Sequence, residues 1–542
     1  MSEAKEAKAK TATKKTTKTT ATKTDAVKKV AKTQTKKTTK KVEETKTEQK
    51  AKTRKKLEPV AVTVETKPSI LFVGSEATPF IKTGGLADVL GSLPISLAED
   101  NTLDVRVILP LYGTMEEGYK THLTYVTNFN VPVGWRNQYC GLFYYKHKNV
   151  TFYFIDNEYY FKRENLYGFF DDGERFAFFS RAVLEVMAHL DYYPNVMHCH
   201  DWQSALAVIY LKTIYKDRPA YQQIRSMFTI HNIEYQGRYS HDEIGELFGL
   251  DSIYIPALDY NYDLNLMKGA LVFADQVTTV SATYAKEILT SDYACGLQYA
   301  VNDAKNKLTG ITNGIDVKTF NPQLDPVLIK NYSADDLSGK LECKKNLQNL
   351  LNLPEREDVP VIAMISRLVN HKGLDLVRQV LDKILAHDVQ VVILGKGDRE
   401  YENYFKYMSE VYSDKMRAII AYNKDLSSKI YAGADLFLMP SRSEPCGLSQ
   451  MIAARYGAVP IVRRTGGLRD TITPFNTTRQ GGNGFAFDLY DAQGMLVVIE
   501  DAINTFKDKP VFNAIVKEAM TTDFSWKKSA KEYEQLYLKL IH

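Results

Sequence analysis

The 542 residues hold only five cysteines, Cys140, Cys199, Cys295, Cys343 and Cys446, with no C-x-x-C pair among them. That spacing gives neither a disulfide framework nor a thiolate zinc site and makes a reducing cytoplasm the expected compartment. No apolar run reaches the ~20 residues of a membrane-spanning helix, so no membrane partner is expected. Asp-x-Asp and the Walker A pattern are both missing, and Gly395-Lys-Gly397-Asp is too short for a dinucleotide fingerprint. If this chain handles a phosphorylated substrate, Arg, Lys and helix dipoles must balance the charge.

Aromatic residues are absent from positions 1–67, which are Lys, Thr and Ala in near-repetitive order. A segment with so little apolar surface cannot offset its ordering entropy, so disorder is expected there. Residues 1–56 carry 20 Lys and Arg against 6 Asp and Glu, a balance of +14 in a chain whose total is +5, which leaves −9 for the rest. The body is therefore acidic and the tail basic. A solvated linker is the plain reading of the tail, and weak attachment to nucleic acid or another polyanion is the sharper one. A plastid transit peptide stays open as a third, disfavoured by a single Arg and a single Ser. No apolar core of a secretory signal is present in the tail.

From Pro68 the texture changes to alternating strands and helices. Strands are expected at Ser69 to Gly74, Asp104 to Leu109, Thr151 to Ile155, Val196 to Cys199, Ser226 to Ile230 and Gln276 to Val280. Helices are expected from Gly85, over Glu174 to His189 and over Trp202 to Tyr215. Such alternation predicts an α/β fold with a doubly wound parallel sheet, whose ligands sit at the carboxyl ends of the strands. Polar residues cluster there: Asp156, His198-Cys-His200-Asp201 and His231-Asn232. His-x-His-Asp invites a metal reading, but a metal needs three or four convergent ligands, and a hydrogen-bonding His200 aimed at a hydroxyl fits better. Lys82-Thr-Gly84-Gly85 is a strand-to-helix turn whose amides and ammonium suit a phosphate, or simply a turn.

A polar connection after Thr312-Asn-Gly-Ile-Asp316 leads to a second alternating region. Its strands are expected at Val359 to Ser366, Val391 to Leu394, Ala418 to Ala421 and Asp435 to Met439. Arg367 and Lys372 follow the first of these, as a phosphate clamp or as solvated loop charges. Tyr422 ends another, where its ring could stack on a base. The strand-loop-helix stretches Asp435 to Gln450 and Val462 to Asp470 should place two amide-rich helix starts side by side, a geometry suited to an anion. Glu444 in the first loop would be out of place beside phosphate unless it held sugar hydroxyls or an emerging positive charge. A phosphorylated sugar is the expected ligand. The last helix is expected over Trp526 to Leu540, capped by Asp523 or Ser525.

Five segments in order, Lys82-Thr-Gly-Gly-Leu-Ala-Asp-Val89, His198-Cys-His-Asp-Trp202, Ser366-Arg-Leu-Val-Asn-His-Lys-Gly-Leu-Asp375, Pro440-Ser-Arg-Ser-Glu-Pro-Cys-Gly-Leu448 and Arg463-Arg-Thr-Gly-Gly-Leu468, resemble the bacterial glycogen synthase and plant starch synthase family. The resemblance runs from about Ser69 to the C-terminus. It implies a GT-B fold, two Rossmann-like domains facing a central cleft, with an acceptor-side lobe over 68–316, a donor lobe over 317–522 and a final helix, 523–542, packing back on the first lobe. It implies transfer of glucose from ADP-glucose to the non-reducing end of an α-1,4-glucan with retention, and no cofactor or metal. Arg367 and Lys372 would then neutralise the departing diphosphate. Lys82, Gly84 and Gly85 would bind donor phosphate, Glu444 would hold glucose hydroxyls, and His200 the 6-hydroxyl. Thr465, Gly466 and Gly467 would contact sugar and phosphate beside Cys446 and Gly447, and Tyr422 would flank the adenine. Asp156 and Asn265 are similar to sugar or acceptor contacts. Lobe closure would hinge near Asn313 to Asn321.

Rival readings are a UDP-glucose-dependent enzyme, another retaining GT-B enzyme with a small acceptor such as a sucrose or trehalose-phosphate synthase, or a phosphorylase. A non-catalytic glucan-binding scaffold is disfavoured because Lys82, His200, Arg367, Lys372 and Glu444 occur together.

Overall fold

The structure is a computed structural model that describes residues 67–476 and 481–542. The expectation of a disordered tail falls outside the described residues. Strands run, in chain order, β1 (Ser69–Val73), β2 (Asp104–Pro110), β3 (Thr124–Val133), β4 (Arg136–His147), β5 (Val150–Asp156), β6 (Val196–His200), β7 (Arg225–Ile230), β8 (Arg238–Tyr239), β9 (Asp259–Tyr260), β10 (Asp263–Asn265), β11 (Gln276–Thr279), β12 (Leu308–Gly310), β13 (Val361–Ile365), β14 (Gln390–Leu394), β15 (Met416–Ile419), β16 (Leu436–Met439), β17 (Val459–Arg463) and β18 (Phe485–Phe487).

They form a nine-stranded sheet in the order β12-β11-β7-β6-β1-β2-β5-β4-β3, a six-stranded sheet β15-β14-β13-β16-β17-β18, and a small sheet β8-β10-β9. Every neighbour pair in the six-stranded sheet is parallel. The centre strands are continuous apolar runs because helices cover both faces, as in Val361-Ile-Ala-Met-Ile365.

The larger sheet departs from the expected parallel pattern at one edge. Its strands are parallel from β12 to β5, but β4 pairs antiparallel with both β5 and β3. This hairpin escapes a reading for buried strands because only one of its faces is covered. Val131, Val133, Cys140 and Leu142 point inward, while Tyr125, Trp135 and Tyr139 are exposed. A second shift concerns β15, which ends at Ile419 because its pairing with β14 closes with Leu394 opposite Ile419, two residues before the expected end.

Buried lysines pin the second sheet from below. Lys340, in the helix Ser338–Leu350, donates to the carbonyls of Ala432, Ala434 and Tyr456 at 3.0, 2.8 and 3.0 Å. Lys344 pairs with Asp435 at 2.8 Å, and Asp435 accepts from the Val361 amide, so the strand leading to Glu444 is fixed at its start.

The last helix, Trp526–Ile541, lies on the first sheet's side although it follows the second in sequence. Trp526, Ala530, Tyr533 and Tyr537 share one apolar cluster with Ile70, Phe72, Val89 and Leu93. The chain crosses between sheets twice, side by side, where the Ile315 amide donates to the Phe524 carbonyl at 2.8 Å. Ser525 stands at the helix's N-cap but makes no side-chain cap bond, while Asp523 accepts from the Ser525 amide at 2.9 Å.

Candidate active site

β13 and β16 are neighbours, so the loops that follow them meet. The β13 loop turns through Asn370–Lys372, and the β16 loop carries Glu444. Glu444 is 7% exposed, and its Oε2 accepts from Lys372 Nζ at 2.6 Å and from Ser441 Oγ at 2.9 Å. The Arg442 amide donates to the His371 carbonyl at 2.9 Å and closes the loops together. Gly373 has φ +74°, and a Cβ there would lie 2.0 Å from the Pro440 carbonyl oxygen, so a side chain would push the Lys372 turn off the Glu444 loop. Arg367 is exposed and makes no ion pair among the described residues. A paired ammonium, a buried carboxylate and an uncommitted guanidinium thus stand at one sheet edge. Cys446, behind them, is buried, and burial pushes its thiol up to about 12.

The β17 loop lies alongside, since β16 and β17 pair with Met439 opposite Val462. Its helix, Gly466–Thr471, does start beside the Glu444 loop as expected, but protein occupies its first polar groups. Glu287, at the end of the first lobe's helix Ala282–Glu287, accepts from Thr465 Oγ1 at 2.9 Å and from the Gly466 amide at 3.0 Å. The Gly467 amide donates to the Glu444 and Pro445 carbonyls, both at 3.1 Å. Gly466 has φ +44°, and a Cβ there would sit 2.0 Å from the Glu444 carbonyl oxygen. Geometrically this turn is a buttress under the Glu444 loop.

In the first lobe His200 ends β6, fully buried. Its Nδ1 is 2.9 Å from His231 Nε2, and its Nε2 has no partner. Burial, reinforced by the neighbouring histidines, holds His200 well below the usual imidazole range, and burial takes His231 down to about 3. Both rings are neutral at physiological pH, so one donates to the other and His200 Nε2 is left buried without a partner. His198 is unsuited to the metal reading: its nitrogens lie 2.7 Å from Tyr537 OH and 2.6 Å from Thr229 Oγ1. Among the described residues no three His, Cys, Asp or Glu are grouped to hold a metal ion.

The Lys82 turn is also engaged internally. Lys82 Nζ pairs with Asp88 at 2.7 Å, on the helix Gly85–Leu97 that the turn opens. Glu76 accepts from the Thr83 amide at 2.5 Å, from Thr83 Oγ1 at 2.8 Å and from the Gly84 amide at 3.3 Å, and burial raises its carboxyl. Gly85 faces the second lobe, where a Cβ on it would be 3.9 Å from Leu448 Cδ1. A pocket of about 410 Å³ opens beside Lys82 and Thr83, with Glu164, Asn165 and Tyr167 on its other wall.

The other expected residues are spread around this centre. Asp156 ends β5, partly buried, its carboxyl raised by burial and then by Glu158. Asn265 is 1% exposed and caps the helix Leu266–Phe273, accepting from the Lys268 amide at 2.9 Å and donating to Gln236 Oε1 at 2.8 Å. Tyr422 stands three residues past β15, 81% exposed. Gly447, with φ +72°, completes the turn after Glu444. Sequence reasoning gave no role to Glu287, which carries no local motif, to Asp470, which only closes the stretch from Val462, or to Glu76, visible only as a loop carboxylate.

Two Rossmann-like sheets with clustered loops at their carboxyl ends define a GT-B glycosyltransferase. Residues 69–303 match the family described as starch synthase catalytic domain, and residues 348–512 match glycosyl transferases group 1. The chain is 48% identical over 474 residues to glycogen synthase of Desulforamulus reducens, covering 87% of this chain and 98% of that one. It is 46% identical over 475 residues to glycogen synthase of Bacillus cereus, covering 87% and 100%. The catalytic domain of starch synthase IV from Arabidopsis thaliana bound to ADP and acarbose superposes with a TM-score of 0.82 at 34% identity, covering 88% of this chain and 100% of that one. Sucrose-phosphate synthase from Thermosynechococcus elongatus shares the fold, at a TM-score of 0.55 and 18% identity over 88% of this chain and 99% of that one. The chain belongs to the glycogen synthase family and is a glucosyltransferase.

Proposed function

We propose that this chain transfers glucose from ADP-glucose to the non-reducing end of an α-1,4-glucan with retention at the anomeric carbon. The observation that carries the reading is the 2.6 Å contact between Lys372 and Glu444. It puts a carboxylate suited to sugar hydroxyls directly beside a cation suited to the leaving phosphate. The solved relative bound to ADP and acarbose supports the same ligand chemistry.

In this reading 68–316 forms the acceptor-side lobe, 317–522 the donor lobe and 523–542 the helix returning to the first. Glu444, steadied by Ser441, holds glucose hydroxyls and the positive charge that develops at the ring. Arg367 and Lys372 take up the charge of the departing diphosphate, where a metal ion serves in other transferases. His200 presents its unpartnered Nε2 to the 6-hydroxyl. Lys82, with the amides of Gly84 and Gly85, meets the phosphate from the first lobe by exchanging its Asp88 contact for the ligand. Tyr422 flanks the adenine, Cys446 and Gly447 line the sugar end, and Asp156 and Asn265 shape the acceptor side. Thr465, Gly466 and Gly467 act mainly by supporting the Glu444 loop.

Chemically, the bond between C1 of glucose and the phosphate oxygen breaks while the acceptor 4-oxygen bonds to C1 on the same face. The acceptor's proton passes to the departing phosphate oxygen, so no protein nucleophile is needed. In this reading the chain works in the cytoplasm. No helix among the described residues is long and apolar enough to cross a membrane. For the basic tail a solvated linker is the plain reading and a weak polyanion contact the sharper one; loss of nucleic-acid retention on deletion of 1–66 supports the second and unchanged retention the first.

The test is glucose incorporation into glycogen from ADP-glucose or UDP-glucose, with and without chelator. Turnover with ADP-glucose that survives chelator supports the reading. Turnover with UDP-glucose alone overturns the donor, and transfer only to a small acceptor such as fructose overturns the glucan.

A further inference from the structure

The two lobes are joined by a reciprocal exchange of carboxylates. The helix Ala282–Glu287 follows β11 in the first lobe, and Gly466–Thr471 follows β17 in the second. Both are short, and the amides of their first turns have no partner within their own helices. Glu287, at the end of the first helix, accepts from the Gly466 amide through both oxygens at 3.0 and 3.1 Å and from Thr465 Oγ1 at 2.9 Å. Asp470, near the end of the second, accepts from the Thr283 amide at 2.8 Å and from Thr283 Oγ1 at 2.5 Å. Each helix thus caps the other's start across the lobe boundary, with the charge sign a helix N-terminus favours.

Two flanking contacts tie this exchange to the reacting loop. Ser281 Oγ, while accepting from the Tyr284 amide, donates to the Pro445 carbonyl at 2.6 Å, one residue from Glu444. Gly467, next to the residue that Glu287 holds, donates its amide to the Glu444 carbonyl at 3.1 Å. Arg463 reaches Tyr293 OH at 3.2 Å on the same boundary.

We propose that Glu287 and Asp470 are positioning residues for glucosyl transfer: their cross-lobe caps set the register of the Glu444 loop against the first lobe's cleft. Neither is placed to touch substrate in the scheme above; they act through Thr465–Gly467 and Thr283. The loop that meets the sugar thereby takes its position from the opposite lobe as well as from its own sheet. Burial raises the Glu287 carboxyl, consistent with a group sequestered at a boundary.

The inference rests on the glucosyltransferase reading of Glu444, and the experiment separates the two. Full-length wild type, Glu287→Ala, Glu287→Gln, Asp470→Ala, Thr465→Val and the double variant Glu287→Ala/Thr465→Val are compared for kcat and KM with ADP-glucose and glycogen, for ADP affinity by calorimetry, and for Tm. Wild type inactive on ADP-glucose defeats the functional reading itself, and the same panel is then run with the donor that is turned over. With an active wild type, Glu287→Ala is expected to lose about 10- to 100-fold in kcat while ADP affinity stays within about twofold. Glu287→Gln, which keeps an acceptor for the Gly466 amide, should recover most of that loss, and the double variant should lose no more than the worse single. Unchanged kcat in Glu287→Ala, additive losses in the double variant, or a Glu287→Gln as impaired as the alanine variant would each overturn the proposal. If Glu287→Ala fails to fold, Thr465→Val, which removes the hydroxyl that donates to Glu287, and Asp470→Ala decide: a fall in kcat with ADP affinity kept supports the proposal, and no fall in kcat, or kcat and ADP affinity falling together, overturns it.

Discussion

Lys372 and Arg367 flank the same phosphate in the proposed reaction, but the structure gives them different resting states, and that difference predicts different phenotypes. Lys372 is already paired: its Nζ lies 2.6 Å from Glu444 Oε2, with side-chain exposures of 17% and 9%. Removing it strips a mostly buried carboxylate of its cation and leaves Ser441 as its remaining partner. Breaking a fully buried pair costs ~3–5 kcal/mol, and the residual exposure here brings the expected loss to about 2 kcal/mol. Arg367 is exposed and unpaired among the described residues, so its loss should change stability by less than about 0.5 kcal/mol. In turnover both should matter, because charge on the diphosphate grows as the glycosidic bond stretches. A removed transition-state partner typically costs ~10²–10³ in kcat. Lys372→Ala is expected at that level and Arg367→Ala about tenfold milder, since solvent screens it. The assay is steady-state ADP release at saturating glycogen, with thermal unfolding run in parallel. Two results would refute the reasoning: losses confined to KM for the donor with kcat intact, or equal destabilisation by both substitutions.

Other outcomes follow from buried polar groups. Lys340→Met should lower stability by about 3 kcal/mol in a denaturant titration, because three buried carbonyls lose their donor together; an unchanged midpoint would contradict the anchoring role. Tyr537→Phe should cost about 1–2 kcal/mol by leaving His198 Nδ1 without its partner, loosening the last helix from β6, which hydrogen exchange in that helix would report. Asp201 accepts from the His231 amide at 2.7 Å, yet burial raises its carboxyl from the ordinary 3.8 to about 7. The folded chain therefore keeps a proton that the unfolded chain releases between about pH 4 and pH 7. Its contribution to stability falls as pH rises through that window. Asp201→Asn should gain in Tm relative to wild type as pH rises from about 4 to about 7, and a pH-independent difference would count against the burial.

The βα alternation made the central strands of both sheets readable in advance, because strands buried on two faces are apolar throughout, while the three-residue edge strands β12 and β18 are too short to read. β3 and β4 were harder. Their outer face carries Tyr125 and Tyr139 in solvent, so neither a buried run nor a clean alternation marks them. Short Gly-containing turns identified the loops around Lys82, Glu444 and Thr465, but residue identity could not show what fills them. Thr465 and Gly466 looked open to an anion until Glu287 was found on them, and a residue 179 positions away leaves no local trace. Likewise, Glu76 sits on the Thr83 and Gly84 amides only because the strand and the helix bring the loop back on itself. The sequence places His200 at a strand's end, where a hydroxyl contact is an expectation, whereas its contact with His231 is visible only through the β6–β7 register.

The most direct test of the central claim is the proton NMR spectrum of a maltooligosaccharide elongated by this protein from ADP-glucose, compared with the same reaction run with Glu444→Ala. The account predicts new α-1,4 anomeric signals for the wild type under chelating conditions and none for the variant. New β-anomeric signals, or undiminished elongation by Glu444→Ala, would contradict it.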